Sequence, residues 1–107
     1  MKIVLKGVAC AEDAVQALEY GCAGVMLSNH GGRQLDFARS AIEVLPEAME
    51  ALKKHPKYNP AKFEVFIDGG VRRGTDIFKA LALGAKAVGV GRPALYAMSA
   101  FGTEGLV

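Results

Sequence analysis

Residues 6–27, KGVACAEDAVQALEYGCAGVML, align without a gap on residues 69–90, GGVRRGTDIFKALALGAKAVGV. The identical residues fall where a strand–helix–strand unit needs them, at the helix starts, the helix ends and the strand centres. They are the pairs Gly7/Gly70, Val8/Val71, Asp13/Asp76, Ala17/Ala80, Leu18/Leu81, Gly21/Gly84 and Val25/Val88. The repeat therefore predicts two similar βαβ units in one chain.

Apolar runs and helical patterns alternate around this repeat. Short apolar runs predict buried parallel strands, and the segments between them carry helical periodicity. The predicted strands are 3–5, 24–27, 64–67 and 87–90, and the predicted helices are 11–20, about 40–54 and 75–83, before a short helical tail. Ser40 and Glu43 have capping-box spacing, although Pro46 leaves the start of that helix open by several residues.

This alternation is typical of an α/β fold, either a doubly wound sheet or a (β/α)8 barrel. No GxGxxG motif follows the first strand, which disfavours a dinucleotide-binding sheet. The repeat and the loops favour the barrel, of which four βα-type strands are predicted here and eight are needed for closure. With 107 residues, the chain is expected to form one domain, 1–107.

Composition excludes several classes of function. A net charge of +2 without a Lys/Arg-rich run argues against nucleic acid, and no apolar run approaches the roughly 18 residues that span a bilayer. Cys10 and Cys22 lack a CxxC spacing, so we expect packed interior thiols and no metal site. We expect a soluble protein with no targeting signal inside this chain and no sequence indication of its compartment.

The unusual residues cluster where the predicted strands end, which is where barrels bind their ligands. Lys6 ends the first strand, and SNHGGRQLD (28–36), DGGVRRG (68–74) and GRP (91–93) follow the other three. Glycines, helix N-termini and the side chains of Arg72, Arg73 and Arg92 on the last two loops predict a phosphate site. The alternative is a pair of tight turns with surface arginines.

The loop after the second strand predicts substrate chemistry. His30 is suited to accept a proton, because histidine is the side chain most often used for proton transfer, and Arg33 is suited to a carboxylate. A turn whose histidine caps the strand end is the alternative. Lys6 is costly to bury unless an anion meets it, and otherwise it would reach solvent at the rim. Asp36 receives no role, and His55 is expected to be solvated.

The motifs LKGV, SNHGGRQLD, DGGVRRGTD and KALALGAKAVGVGRP together resemble the FMN-dependent 2-hydroxy-acid dehydrogenase and oxidase family. The resemblance spans nearly the whole chain, and it implies the C-terminal half of an FMN-binding TIM (β/α)8 barrel. The implied reaction oxidises an (S)-2-hydroxy acid of the lactate or glycolate type to a 2-oxo acid, with electrons passing to FMN. Eukaryotic members of the family are mitochondrial or peroxisomal.

The resemblance also implies residue roles. His30 would be the active-site base and would bind substrate together with Arg33, which would hold the substrate carboxylate. Lys6 would contact the flavin near N1 and O2, and Ser28 would also touch the flavin. The implied contacts to the FMN phosphate and ribitol are Asp68, Gly69, Gly70, Val71, Arg72, Gly91 and Arg92.

The family's other flavin contacts, its tyrosines, its second arginine and the acid that orients the histidine belong to strands outside this chain. The chain therefore predicts half an active site, with the missing N-terminal half barrel or a second copy of itself as partner. Two open strand edges predict association or marginal stability of the isolated chain. The alternative function is a non-catalytic half-barrel that binds FMN or another phosphate ligand, or only self-associates.

Overall fold

Strands and helices alternate along the whole chain, as the sequence predicts. The computed structural model describes residues 1–107. The strands are β1 (Val4–Val8), β2 (Gly24–Leu27), β3 (Glu64–Asp68) and β4 (Ala87–Gly89). The helices are α1 (Ala11–Glu19), α2 (Ala41–Lys54), α3 (Gly74–Ala82) and α4 (Arg92–Phe101), followed by a 3-10 helix, Gly102–Leu106.

The four strands form one parallel sheet in the order β1-β2-β3-β4. Met26, in the centre of the sheet, is paired with Lys6 on one side and Phe66 on the other. Because all strands run in the same direction, their carboxyl ends meet at one edge of the sheet. That edge carries every loop for which the sequence predicts ligand chemistry. β1 and β4 are the two edge strands.

The internal repeat is confirmed in the backbone. α1 and α3 begin and end 63 positions apart (11 and 74, 19 and 82). Gly7 (φ +98°), at the irregularity of β1, and Gly70 (φ +77°), in the turn after β3, precede these helices, and the turns after the helices contain Gly21 (φ +77°) and Gly84 (φ +109°). Left-handed φ values of this kind strain any residue with a Cβ atom, so the glycines mark equivalent positions in the two units.

The core lies between the two central strands and the helices α1 and α2. Most of its 16 members lie on β2, β3 and the inner stripes of both helices, among them Val25, Leu27, Val65, Ile67, Ala14, Ala17, Val44, Leu45, Ala48 and Leu52. Burying one leucine of this set contributes about 1.5–3 kcal/mol. α4, by contrast, has no buried residue.

Element boundaries differ from the predictions by a few residues. β1 extends to Val8 instead of ending at residue 5, because its ladder with β2 continues past an irregularity between Lys6 and Val8. The predicted capping box is present: Ser40 donates its backbone N–H (2.9 Å) and its hydroxyl (2.7 Å) to the Glu43 carboxylate. α2 then begins at residue 41 and continues through Pro46.

One prediction about single residues is wrong, that for His55, and another, that for the two cysteines, is only partly confirmed. His55 is not solvated: its side chain is only 17% exposed, and its Nε2 lies 3.4 Å from a carboxylate oxygen of Glu19. The cause is that His55 ends α2 where that helix packs beside α1. Cys10 and Cys22 are free thiols of intermediate burial, and of the two only Cys22 packs against the core.

None of the helices has both the length and the apolar character needed to cross a membrane.

Candidate active site at the carboxyl edge of the sheet

The hydroxyl of Ser28, just after β2, connects the three strands β1, β2 and β3. It accepts a hydrogen bond from Lys6 Nζ (2.9 Å), in the middle of β1, and donates one to Asp68 Oδ1, at the end of β3. Lys6 Nζ also lies 3.1 Å from Asp68 Oδ2. Ser28 is itself only 3% exposed. The predicted site residues Lys6, Ser28 and Asp68 therefore form one hydrogen-bonded cluster.

Lys6 meets an anion, but that anion is a carboxylate of its own chain. Its side chain remains 44% exposed, whereas that of Asp68 is 22% exposed. The two contacts use two of the three N–H donors of the ammonium group. Lys6 is thus held in place by Ser28 and Asp68 and retains a donor for a ligand at the carboxyl edge.

The loop after β2 has an unusual backbone. His30 (φ +56°), Gly31 (φ +68°) and Gly32 (φ +78°) are three consecutive residues in the left-handed region. This conformation costs a residue with a Cβ atom roughly 1–2 kcal/mol, so His30 needs local support. The support comes from a 3.0 Å hydrogen bond that the His30 backbone N–H donates to Ser28 Oγ.

His30 and Arg33 lie in the same exposed turn. It is the backbone of His30 that contacts the strand end, and the exposed imidazole is therefore accessible to a small molecule. Leu35 and Phe37, farther along the loop, are almost fully exposed apolar side chains. The structure brings the two predicted substrate-binding residues together but leaves the loop uncovered.

Two residues that the sequence reasoning did not single out support this loop. Asn29 Oδ1 accepts a hydrogen bond from the Gly32 backbone N–H (3.0 Å), and Asn29 Nδ2 donates to the Arg39 carbonyl oxygen (3.4 Å). Arg39 makes a bidentate ion pair with Glu47 of α2 at 2.8 and 2.6 Å. An asparagine beside left-handed residues is a recognisable signal, whereas the spacing of Arg39 and Glu47 carries none.

The loop after β3 contains the predicted phosphate residues. Gly69 (φ +88°) and Gly70 (φ +77°) both require a left-handed backbone. A Cβ atom on Gly70 or Gly91 would meet nothing within 4 Å, so both glycines border open space. Val71 is 7% exposed, and any ligand contact by this residue would have to come from its backbone. Arg72 is exposed.

Two backbone N–H groups just before α3 already have a partner within the chain. Asp76 Oδ2 accepts hydrogen bonds from the backbone N–H groups of Arg72 (3.1 Å) and Arg73 (3.0 Å). These hydrogen bonds, the larger effect being that of Arg72, lower the pKa of Asp76 below its ordinary value. The contribution of the N-terminus of α3 to a phosphate site therefore stays a prediction.

The N-terminus of α4 differs, because its N-cap residue is Gly91, which has no side chain to cap it. Arg92, the first residue of α4, donates a 3.0 Å hydrogen bond from Nη1 to the Gly31 carbonyl oxygen. This contact joins the loop after β4 to the loop of His30. The N-terminus of α4 and the exposed guanidinium groups of Arg72 and Arg92 are therefore available to an anion.

Comparison with known proteins gives consistent results. Residues 1–107 match the family model described as FMN-dependent dehydrogenase. The chain is 58% identical over 99% of its length to an L-lactate dehydrogenase (cytochrome) from Wickerhamomyces anomalus, and it covers 18% of that protein. It is 51% identical to glycolate oxidase 3 from Arabidopsis thaliana, of which it covers 27%.

Solved structures agree. The flavin-binding domain of baker's yeast flavocytochrome b2 superposes with a TM-score of 0.91 at 58% identity, covering 99% of this chain and 26% of that one. A mandelate oxidase with benzoyl-formic acid superposes with a TM-score of 0.85 at 46% identity, over 30% of its chain. The predicted fold, part of a TIM barrel, is confirmed. The share matched is nearer a quarter of those chains than half.

Proposed function

Because this chain belongs to the FMN-dependent dehydrogenase family, we propose that it supplies the catalytic histidine and the phosphate end of the FMN site in an enzyme that oxidises (S)-2-hydroxy acids to 2-oxo acids. The chain spans 18% of the length of the lactate dehydrogenase relative and 27% of the glycolate oxidase relative. The remaining walls of the site would come from further strands of such an enzyme.

The network on the Ser28 hydroxyl is the observation that carries the proposal. It connects the backbone of the proposed base, His30, to the ammonium group of Lys6 and the carboxylate of Asp68. A base, a cation and a carboxylate held close together are suited to a reaction in which a proton leaves the substrate and negative charge develops nearby. These groups come from the loop after β2, from β1 and from the end of β3.

Each residue would have a distinct part in the reaction. His30 would accept a proton from the substrate, since an imidazole titrates near neutral pH and the ring is exposed at the carboxyl edge. Arg33 would orient the substrate by pairing its planar guanidinium with the carboxylate. Lys6, held by Ser28 and Asp68, would place its remaining N–H donor against a group that gains negative charge. FMN, when bound, supplies the electron acceptor.

The residues present fit the phosphate of FMN. Arg72 and Arg92 are exposed, Gly70 and Gly91 border open space, and the N-terminus of α4 has no capping side chain. A phosphate at this position would be met by two guanidinium groups and by a helix N-terminus. The backbone N–H groups of Arg72 and Arg73, just before α3, are not available to the phosphate because they donate to Asp76.

We also infer that the sheet needs a partner at its edges, either the remaining strands of the barrel or a second copy of the chain. Val4 and Leu5 on β1 and Val90 after β4 are exposed apolar residues beside the edge strands. Open parallel edges of this kind promote pairing with another chain. Light scattering at micromolar concentration is expected to show association, and a monodisperse monomer with cooperative unfolding would contradict it.

The second candidate function, a non-catalytic module that binds FMN or another phosphate ligand, is favoured by one contrast within the site. The proposed phosphate residues lie on two adjacent loops, whereas His30 and Arg33 lie in an uncovered turn. Binding of FMN or another phosphate ligand by this chain therefore depends on fewer residues outside the chain than turnover does. Flavin absorbance without turnover would favour this candidate for the isolated chain.

The experiment that tests the proposal compares two sets of variants in the enzyme that contains this chain. His30→Gln is expected to lower kcat with L-lactate or glycolate by about 10²–10⁴-fold while FMN stays bound. The double variant Arg72→Ala/Arg92→Ala is expected to weaken FMN binding, measured by quenching of flavin fluorescence. Lys57→Ala, in the distant loop before β3, is the matched control for loss of a surface charge. Undiminished turnover in His30→Gln would overturn the catalytic assignment.

A further inference from the structure

The loop of His30 and Arg33 has few apolar contacts to hold it. Every residue from Gly32 to Arg39 is exposed, and three successive residues before and within this segment have left-handed φ values. A loop of this composition fluctuates unless specific hydrogen bonds close it. Productive positioning of a base and a carboxylate-binding arginine requires the opposite, a fixed geometry.

The side chain of Asn29 closes the loop at both ends. Its Oδ1 accepts the N–H of Gly32, near the start of the loop, and its Nδ2 donates to the carbonyl oxygen of Arg39, at the end. The backbone carbonyl of Asn29 also accepts the Gly32 N–H at 3.1 Å. One amide group thus spans the segment that contains both proposed substrate-binding residues.

The two ends of the closed loop are also anchored to the rest of the molecule. At the far end, Arg39 forms a bidentate pair with Glu47 of α2 and donates to the Ala9 carbonyl oxygen at 3.4 Å. This ion pair is exposed, so it adds little to the free energy of unfolding. Its main effect is to fix the orientation of the Arg39 side chain. At the near end, a Cβ atom on Gly69 would lie only 3.3 Å from Asn29 Oδ1, which shows how closely the β3–α3 turn approaches the amide.

We propose that Asn29 is a positioning residue, whose side-chain amide holds the turn of His30 and Arg33 in the conformation that substrate binding needs. Asn29 acts through the backbone of Gly32 and Arg39 and does not itself take part in proton transfer. The expected effect of Asn29 on turnover rests on the function proposed for His30. The effect of Asn29 on the order of the loop is independent of that function and is measured separately.

Trypsin measures the order of the loop, because Arg33 lies inside it and Lys79 lies inside α3. The ratio of cleavage after Arg33 to cleavage after Lys79 separates local opening from global unfolding. In Asn29→Ala, which loses both side-chain hydrogen bonds, this ratio is expected to rise about tenfold. In Asn29→Asp, which keeps the acceptor for Gly32 and loses the donor to Arg39, an intermediate rise is expected.

Asn59→Ala is the matched control. Asn59 Oδ1 accepts the Ala61 backbone N–H at 2.9 Å, a turn of similar kind in the distant loop before β3. This variant is expected to keep the wild-type ratio. An unchanged ratio in Asn29→Ala, or an equal rise in Asn59→Ala, would overturn the proposal.

Turnover provides the second readout, in the FMN-loaded enzyme that contains this chain. Asn29→Ala is expected to lower kcat/KM for the hydroxy acid by about 10–100-fold with FMN affinity unchanged, and Asn29→Asp is expected to recover part of it. If the cleavage ratio rises and turnover is unaffected, the closure by Asn29 stands and the role proposed for His30 is overturned. If FMN affinity falls in parallel, the specific role of Asn29 is overturned.

Discussion

The two repeat units, 6–27 and 69–90, have the same backbone and unequal burial. Their helices share length and boundaries, and their glycines take the same left-handed turns. Yet Val25 is fully buried where its equivalent Val88 is only partly so, and Leu81 is 46% exposed where Leu18 packs against the core. Equal sequence patterns have produced equal local structure in unequal surroundings.

The difference follows from the neighbours of each unit. The first unit ends in β2, which lies between β1 and β3, and its helix α1 packs against α2. The second unit ends in β4, which is an edge strand. Turn chemistry and helix length are thus properties of the unit, and burial is a property of its position in the sheet. Substitutions at equivalent positions separate these two contributions.

Leu27→Ala and Val90→Ala are expected to differ most. Leu27 is completely buried in the first unit, and Val90, its equivalent, is about half exposed. Leu27→Ala should cost about 3 kcal/mol of unfolding free energy, since it leaves a cavity, and Val90→Ala less than about 1 kcal/mol. Urea denaturation of the two variants measures the difference. Equal costs would mean that the second unit is buried in solution as well.

Ala17→Val and Ala80→Val test a helix position that is buried in both units. Ala17 and Ala80 are both buried, at 4% and 0% exposure. Overpacking a filled site costs typically 1–3 kcal/mol, so both variants should lose similar stability in urea. A much smaller cost for Ala80→Val would show that α3 can move away from the sheet.

Gly84→Ala and Gly21→Ala share a strained backbone but have different neighbours. Both glycines are left-handed, which predicts a cost of roughly 1–2 kcal/mol in each variant. A Cβ atom on Gly84 would also lie 2.9 Å from Met49 Cε, and one on Gly21 would meet nothing within 4 Å. Gly84→Ala should therefore cost more, and a double-mutant cycle with Met49→Ala should remove the excess. If the cycle shows no coupling energy, the contact with Met49 is not the cause of the larger cost of Gly84→Ala.

Asp76→Asn should give the smallest and most pH-dependent effect. Hydrogen bonds from Arg72 and Arg73 lower the pKa of Asp76 in the folded chain. A lowered folded pKa stabilises the fold above the ordinary value of about 4, and this contribution disappears as the pH falls through the lowered value. The difference in stability between wild type and Asp76→Asn should therefore be present at pH 7 and shrink below about pH 4. Asp13→Asn, at the equivalent position of the first unit, is the control.

Much of this fold could be predicted from the sequence, because the deciding signals are local. The glycines that end α1 and α3, the capping box of Ser40 and Glu43, and the apolar runs of the strands each act within a few residues. The extension of β1 to Val8 could not be predicted, since it depends on pairing with Leu27 across the sheet. The position of His55 against Glu19 likewise depends on how two helices pack.

The site was predictable to the same extent. Residue types near the strand ends predicted that Lys6, Ser28 and Asp68 would lie close together. The inference succeeded because parallel strands place their carboxyl ends at the same edge of the sheet. Asn29 and Arg39 were missed because their partners are backbone carbonyls and a residue of the next helix, which no motif records. The hydrogen bonds from Arg72 and Arg73 to Asp76 were missed because sequence alone does not assign partners to backbone N–H groups.

The strand order β1-β2-β3-β4 in one parallel sheet has a consequence for symmetry. The two free edges belong to different strands, so contact between β4 of one copy and β1 of the next joins two unlike surfaces. Such a head-to-tail contact carries no twofold axis of its own. If the sheets of two copies curve enough, the remaining free edges also pair and the assembly closes into a ring of strands. If they do not, further copies add at the free edges. The curvature of this one sheet therefore determines whether association gives a closed particle or a growing filament.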